Sequence, residues 1–191
     1  MTERHHEEDH NDGLRFHGLL PVAVTPLADA PTDALLAVLN GSNEALLAGL
    51  RTLHEKPETE DNDQNLAEIR RLDHKLSLVL DLLSMLLQQT HPLPPTQQVV
   101  LDSRHLQLAG PLPPADCYRL DLYLESTVAK PLRLLARPAA AMTEPTPTRA
   151  AGAPALVTLE FIGVGQQVRD GLDRFLFRQH RKQVAQRHRT P

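Results

Sequence analysis

Cysteine is nearly missing from this chain of 191 residues, where Cys117 stands alone. A single thiol excludes an internal disulfide framework and every zinc or iron–sulfur site built on several cysteines. Tryptophan is absent, and two Tyr and four Phe are all the aromatic material. So few rings leave little with which to stack bases or sugars, which argues against a nucleic-acid polymer as partner. No run approaches the roughly 18 uncharged apolar residues that a membrane span requires. Met1-Thr-Glu-Arg-His-His-Glu-Glu-Asp-His10 is too polar for a signal peptide, so a cytoplasmic protein is expected. The motifs of phosphate cradling and nucleophilic catalysis are missing as well. There is no G-x-S-x-G, G-x-x-x-x-G-K-[ST] or G-x-G-x-x-G, and Gly163-Val-Gly165 lacks the third glycine. Cys117 is best read as a small buried thiol.

Histidine, by contrast, is plentiful, with ten residues. His5, His6 and His10 stand beside Glu7, Glu8 and Asp9, in a segment with no rigid geometry to hold an ion. His17, His54, His74, His91, His105, His180 and His188 are scattered without H-E-x-x-H or a comparable spacing. No metal site or cofactor is assigned. The chain reads as a non-enzyme, and a metal-dependent enzyme is kept as a third class only on account of these histidines.

Charge is unevenly spread. Residues 1–63 hold 13 acidic and 4 basic side chains, residues 64–163 hold 9 of each, and residues 164–191 hold 7 basic and 2 acidic. An acidic head and a basic tail are complementary within a chain or between subunits, and near-neutrality overall does not suit a nucleic-acid binder.

Five regions follow from composition and period. Residues 1–13 form a polar, disordered tail with nothing apolar to bury. Residues 14–60 comprise an extended segment, Leu14–Thr25, and a leucine-rich helix opening at Pro31-Thr-Asp33. Pro21 argues against a central strand there, and Asn40-Gly41-Ser42 is a break or kink signal within the helix. A polar linker over residues 54–63 leads into residues 61–90, the sharpest periodicity in the chain. Ile69, Leu72, Leu76, Val79, Leu83 and Leu86 recur at the three-four alternation of a heptad seam, with Asn62 and Asn65 at the preceding seam positions. Leu80, Leu82 and Leu87 widen the apolar face toward the end, which suits a bundle of three or four helices better than a pair. Burial against the 32–53 helix competes with assembly, and three regular heptads favour assembly.

After Thr90-His-Pro-Leu-Pro-Pro95 the period falls to two. Val99–Leu101, Leu106–Leu108, Tyr118–Leu124, Leu132–Arg137 and Ala155–Ile162 read as short strands joined by turns, hence an antiparallel sheet or small barrel over residues 91–163. Ala139–Pro154 is a long hairpin connection. Residues 164–191 form a basic helix whose stripe is Val168, Leu172, Phe175 and Leu176. Docking of that stripe on the body is favoured over contact with membrane phosphates or binding of an acidic partner. The fold class is therefore α+β.

Three segments carry a resemblance to a known family: Phe16-His-Gly-Leu-Leu-Pro21, Ile69–Leu83 and Arg169–Ala185. With the strands between them the chain resembles the atypical, tetramer-forming PilZ-domain proteins of gamma-proteobacteria such as xanthomonads. The resemblance implies a six-stranded PilZ barrel and long extra helices that self-assemble as a parallel bundle into a homotetramer. It also implies a place in cyclic di-GMP signalling, since standard members clasp that ligand with an Arg-x-x-x-Arg loop before the barrel and a (Asp/Asn)-x-Ser-x-x-Gly turn. Forked guanidinium groups suit both phosphate and the Hoogsteen edge of guanine. Here Gln88–Gln98 contains no arginine. With Ser103 aligned to the motif's serine, Leu101 replaces the acid and Leu106 the glycine. Arg133-x-x-x-Arg137 and Arg174-x-x-x-Arg178 have the spacing at other places in the chain.

The expectation is thus a non-enzymatic adaptor in signalling, motility or virulence control, without direct cyclic di-GMP binding and with signalling or motility proteins as partners. Ile69, Leu72, Leu76, Val79, Leu83 and Leu86 carry assembly. Ser103, Arg104, Arg133, Arg137, Arg174, Arg178 and Arg181 are the candidate ligand or partner contacts. The alternative is a divergent cyclic di-GMP receptor that uses those arginines.

Overall fold

The computed structural model describes residues 14–54, 63–90, 92–125, 128, 130–139 and 156–187. The 1–13 tail, the linker after His54, Asn62, the side chain of Asn65 and the hairpin connection beyond Ala139 lie outside the described residues. In chain order the elements are β1 (Phe16–Leu27), α1 (Asp33–His54), α2 (Asp63–Thr90), β2 (Thr96–Leu101), β3 (His105–Ala109), β4 (Cys117–Leu122), β5 (Leu132–Pro138), β6 (Leu156–Ile162) and α3 (Gln166–Arg187).

The six strands close an antiparallel barrel in the order β1-β2-β3-β6-β5-β4, with β4 returning to β1. Alternation decides which side chains go inside. Leu101, Leu106, Leu120, Leu122, Leu132 and Leu159 are fully buried, joined by Val99, Leu108 and Leu134. In a chain poor in rings, leucine fills the barrel, and each such side chain contributes roughly 1.5–3 kcal/mol on leaving water. Tyr118 also turns inward, and its hydroxyl donates to the Pro113 carbonyl, so its polar end is satisfied. Cys117, expected to be buried, is only half-buried at the start of β4.

Two expectations are corrected here. The barrel is not confined to residues 91–163, because β1 supplies its first strand from ahead of both helices. Nor does Pro21 keep that segment out of the sheet. Residues 16–21 pair with β2, and residues 22–27 pair with β4, so Pro21 sits where one ladder hands over to the next. Its carbonyl accepts the Tyr123 N–H at 3.1 Å, and the donor that proline lacks falls at the end of the β2 ladder.

The Asn40-Gly41-Ser42 signal does not break α1, which is continuous from Asp33 to His54. Asparagine there serves tertiary contacts. Asn43, buried, donates to the Arg133 carbonyl at 2.7 Å and accepts the Arg133 N–H at 3.0 Å. This pairing satisfies both backbone groups of Arg133, two residues beyond the end of the β5–β6 ladder at Leu135. One turn earlier, Asn40 donates to the Gly163 carbonyl at 2.9 Å and accepts the Gly165 N–H at 3.0 Å. Gly163 has φ +65°, and a Cβ there would meet the Leu36 side chain at 2.4 Å, so glycine is required on both counts.

These clips lay α1 over β5 and start α3 alongside it. The α3 stripe of Val168, Leu172, Phe175 and Leu176 is buried, chiefly against α1 with a smaller contact on β1. Gly171 permits the approach, since a Cβ there would stand 3.0 Å from Leu47.

Candidate functional site

The widest uncovered apolar surface is on α2. Its 28 residues span about 42 Å, and no other element of the chain packs on it among the described residues. Ile69, Leu72, Leu76, Val79, Leu83 and Leu86 are 44–59% exposed. Leu78, Leu80, Leu82, Met85 and Leu87 are exposed too, so the second half is apolar on several faces at once. Water tolerates single surface leucines, but so continuous an apolar patch is uncommon on the surface of a monomer. The helix does not use the 32–53 helix for cover, because α1 has already buried Leu46, Leu47 and Leu50 elsewhere in the body.

The second candidate region is the β2–β3 turn, where Ser103 and Arg104 sit between Leu101 and His105. Asp102 organises it. One carboxylate oxygen accepts the N–H groups of Arg104 and His105, each at 2.7 Å, and lies 3.2 Å from His105 Nδ1. The other oxygen is 4.0 Å from Arg15 Nε. The Arg104 carbonyl accepts the Phe161 N–H at 2.8 Å, which ties the turn to β6. Asp102 therefore serves its own turn, and the Asp-Ser pair at a strand end is the sequence signal for that role.

The seven polar candidates do not converge. Arg137 is held by Glu160 through Nε at 3.0 Å and Nη2 at 2.9 Å, and Glu160 faces His105 across the β3–β6 pairing. That row brings Arg137 toward the Ser103–Arg104 turn on the outer wall. Arg133 belongs to a different group, in which it and Arg119 lie 3.5 and 3.6 Å from the largely buried carboxylate of Asp121. Both strand arginines are thus engaged by carboxylates, which weakens their claim on a phosphate.

Arg174 and Arg178 line a cavity of about 280 Å³ between α1 and α3. Arg51 joins them at one end, Glu44 and Asp170 stand toward the other, and Leu47, Leu50 and Phe175 supply apolar lining. Arg178 Nη1 donates to the Leu50 carbonyl at 3.4 Å, a favourable place for a cation near the end of α1, and its guanidinium lies 5.7 Å from the Phe175 ring centre. Arg181 lies 6.0 Å from the centre of the exposed Phe177 ring. Arg51 and Glu44 were not among the expected residues, because nothing in the one-dimensional pattern reveals which side chains two docked helices bring together. No group of three or more His, Cys, Asp or Glu side chains able to hold a metal occurs among the described residues. No helix among them is long and apolar enough to cross a membrane.

Comparison with known proteins joins these surfaces to a family. A family model described as "Atypical PilZ domain, cyclic di-GMP receptor" matches residues 45–189, a span that holds α2, α3 and five of the six strands. Among solved structures, the chain is similar to a pathogenic protein from Xanthomonas campestris, described as a new tetrameric PilZ domain self-assembled via an unusual helical bundle. The two share 27% sequence identity with a TM-score of 0.66, over 91% of this chain and 92% of the other. No curated protein matches.

Proposed function

We propose, for a chain that belongs to the atypical PilZ domain family, a non-enzymatic adaptor that self-assembles through α2 into a homotetramer and acts by protein contacts in bacterial signalling, motility or virulence control. The observation that carries this reading is the bare apolar surface of α2. A helix with eleven large apolar side chains exposed among its described residues gains most by burying them against copies of itself. A seam flanked by Leu80, Leu82 and Leu87 favours more than two helices, since flanking positions stay wet in a pair. The tetrameric, helical-bundle description of the Xanthomonas neighbour supports the same arrangement.

Direct cyclic di-GMP binding is not part of this reading. Asp102 is committed to its own turn, Arg137 to Glu160 and Arg133 to Asp121, and Gln88–Gln98 has no arginine to offer. One observation favours the second reading, a divergent receptor: the matching family is described by its cyclic di-GMP receptor role. Isothermal titration with cyclic di-GMP separates the two, with light scattering on the same sample as a check of mass. A folded tetramer that gives no saturable heat is the expected result. Saturable binding at low micromolar concentration overturns the adaptor reading in favour of the receptor.

A further inference from the structure

From Arg174 to Arg187 the chain contains five basic residues and no carboxylate. Arg174, Arg181 and Lys182 are exposed, and Phe177 and Val184 lie exposed among them. Asp170 and Asp173 lie in the first half of α3, and Glu44 stands across the groove toward the same, N-terminal end. The C-terminal half of α3 thus carries exposed Arg174, Arg181 and Lys182 with apolar contact points and no Asp or Glu in its own sequence, a face suited to an acidic segment.

The chain carries such a segment beside it. Gln183 Nε2 donates to the His17 carbonyl at 3.1 Å, so β1 begins alongside the last turns of α3. Immediately before β1 come residues 1–13, outside the described residues, with Glu3, Glu7, Glu8, Asp9 and Asp12 against Arg4 alone. From His17 back to Glu3 an extended chain reaches up to about 48 Å, and Gln183 to Arg174 along the helix is only about 14 Å. A tether this short places the acids at an effective concentration of about millimolar, where several weak charge pairs suffice to hold them. We propose that the acidic segment Glu3–Asp12 docks on the C-terminal basic face of α3 in its own chain, and that an external acidic partner must displace it. This inference does not rest on assembly through α2.

Lys182 is the only lysine in α3, so zero-length carbodiimide coupling on the full-length protein reports which carboxylates lie against that face. The expected products, read by mass spectrometry, join Lys182 to Glu7, Glu8 or Asp9 within one chain. Their yield falls at least about threefold in about 0.5 M salt, where charge pairs are screened, and in the double variant Arg174→Gln, Arg181→Gln. Both arginines are exposed, and an unchanged melting curve confirms that the variant folds. Four results each overturn the proposal: no tail product, tail products indifferent to salt and to the variant, Lys182 joined to Glu55–Asp61 instead, or products found only between light and heavy-isotope chains refolded together.

Discussion

The barrel and α2 use the same residue for opposite ends. In the barrel, Leu101, Leu106, Leu120 and Leu122 are wholly inaccessible, each on the inner face of a strand whose neighbours cover it. On α2, Leu72, Leu76, Leu83 and Leu86 are half-exposed and meet no other element among the described residues. Leucine content alone does not say whether a segment builds a core or an interface. What separates the two is topology: closure leaves a barrel no open edge, whereas α2 has no packed neighbour among the described elements.

The contrast can be broken most sharply on α2. Replacing Leu76 and Leu83 together by Asp places carboxylates at two exposed seam positions, where a bundle would have to bury them unpaired. Light scattering should then show monomer in place of tetramer, and the barrel's unfolding transition should persist in circular dichroism. An unchanged mass would reject assembly through this face. The converse change, Leu120→Ala, opens a cavity inside the barrel and should cost about 2–5 kcal/mol in denaturant unfolding. Mass in native buffer should stay that of the parent protein, showing that barrel and bundle are separable.

Smaller changes refine the comparison within the body. Asn43→Ala removes both partners of the Arg133 backbone at a site 2% exposed and should destabilise the body by about 1–3 kcal/mol, measured by the same denaturant titration. Arg137→Gln tests the least. Its pair with Glu160 is solvent-exposed, so a loss under about 1 kcal/mol is expected, and a larger one would indicate that the outer charge row helps hold β5 to β6.

The legible parts of this structure were those with a local period. The step of two from Leu120 to Leu124 announced an inward face, and Val168, Leu172, Phe175 and Leu176 announced the buried stripe of α3. Asn40-Gly41-Ser42 carries a local break signal that α1 overrides, and the roles of Asn40 and the neighbouring Asn43 are tertiary. Their partners lie 90 residues or more away in sequence, beyond any local window. Pro21 misled for a similar reason, since its tolerance depends on where two ladders meet. The candidate polar residues were recognisable as arginines with the right spacing, but their engagement by Asp121 and Glu160 depends on which strands are neighbours.

Residue order by itself determined the helices, the strand faces and the heptad period of α2, because these follow from side-chain period and from the free energy gained when leucine leaves water. Tertiary structure alone decided that β1 closes the barrel, that α1 lies between β5 and α3, and that the arginines are dispersed over three surfaces. Those outcomes come from pairing groups far apart in the chain, where closure of the sheet and satisfaction of buried backbone polar groups select one arrangement among many with the same local pattern.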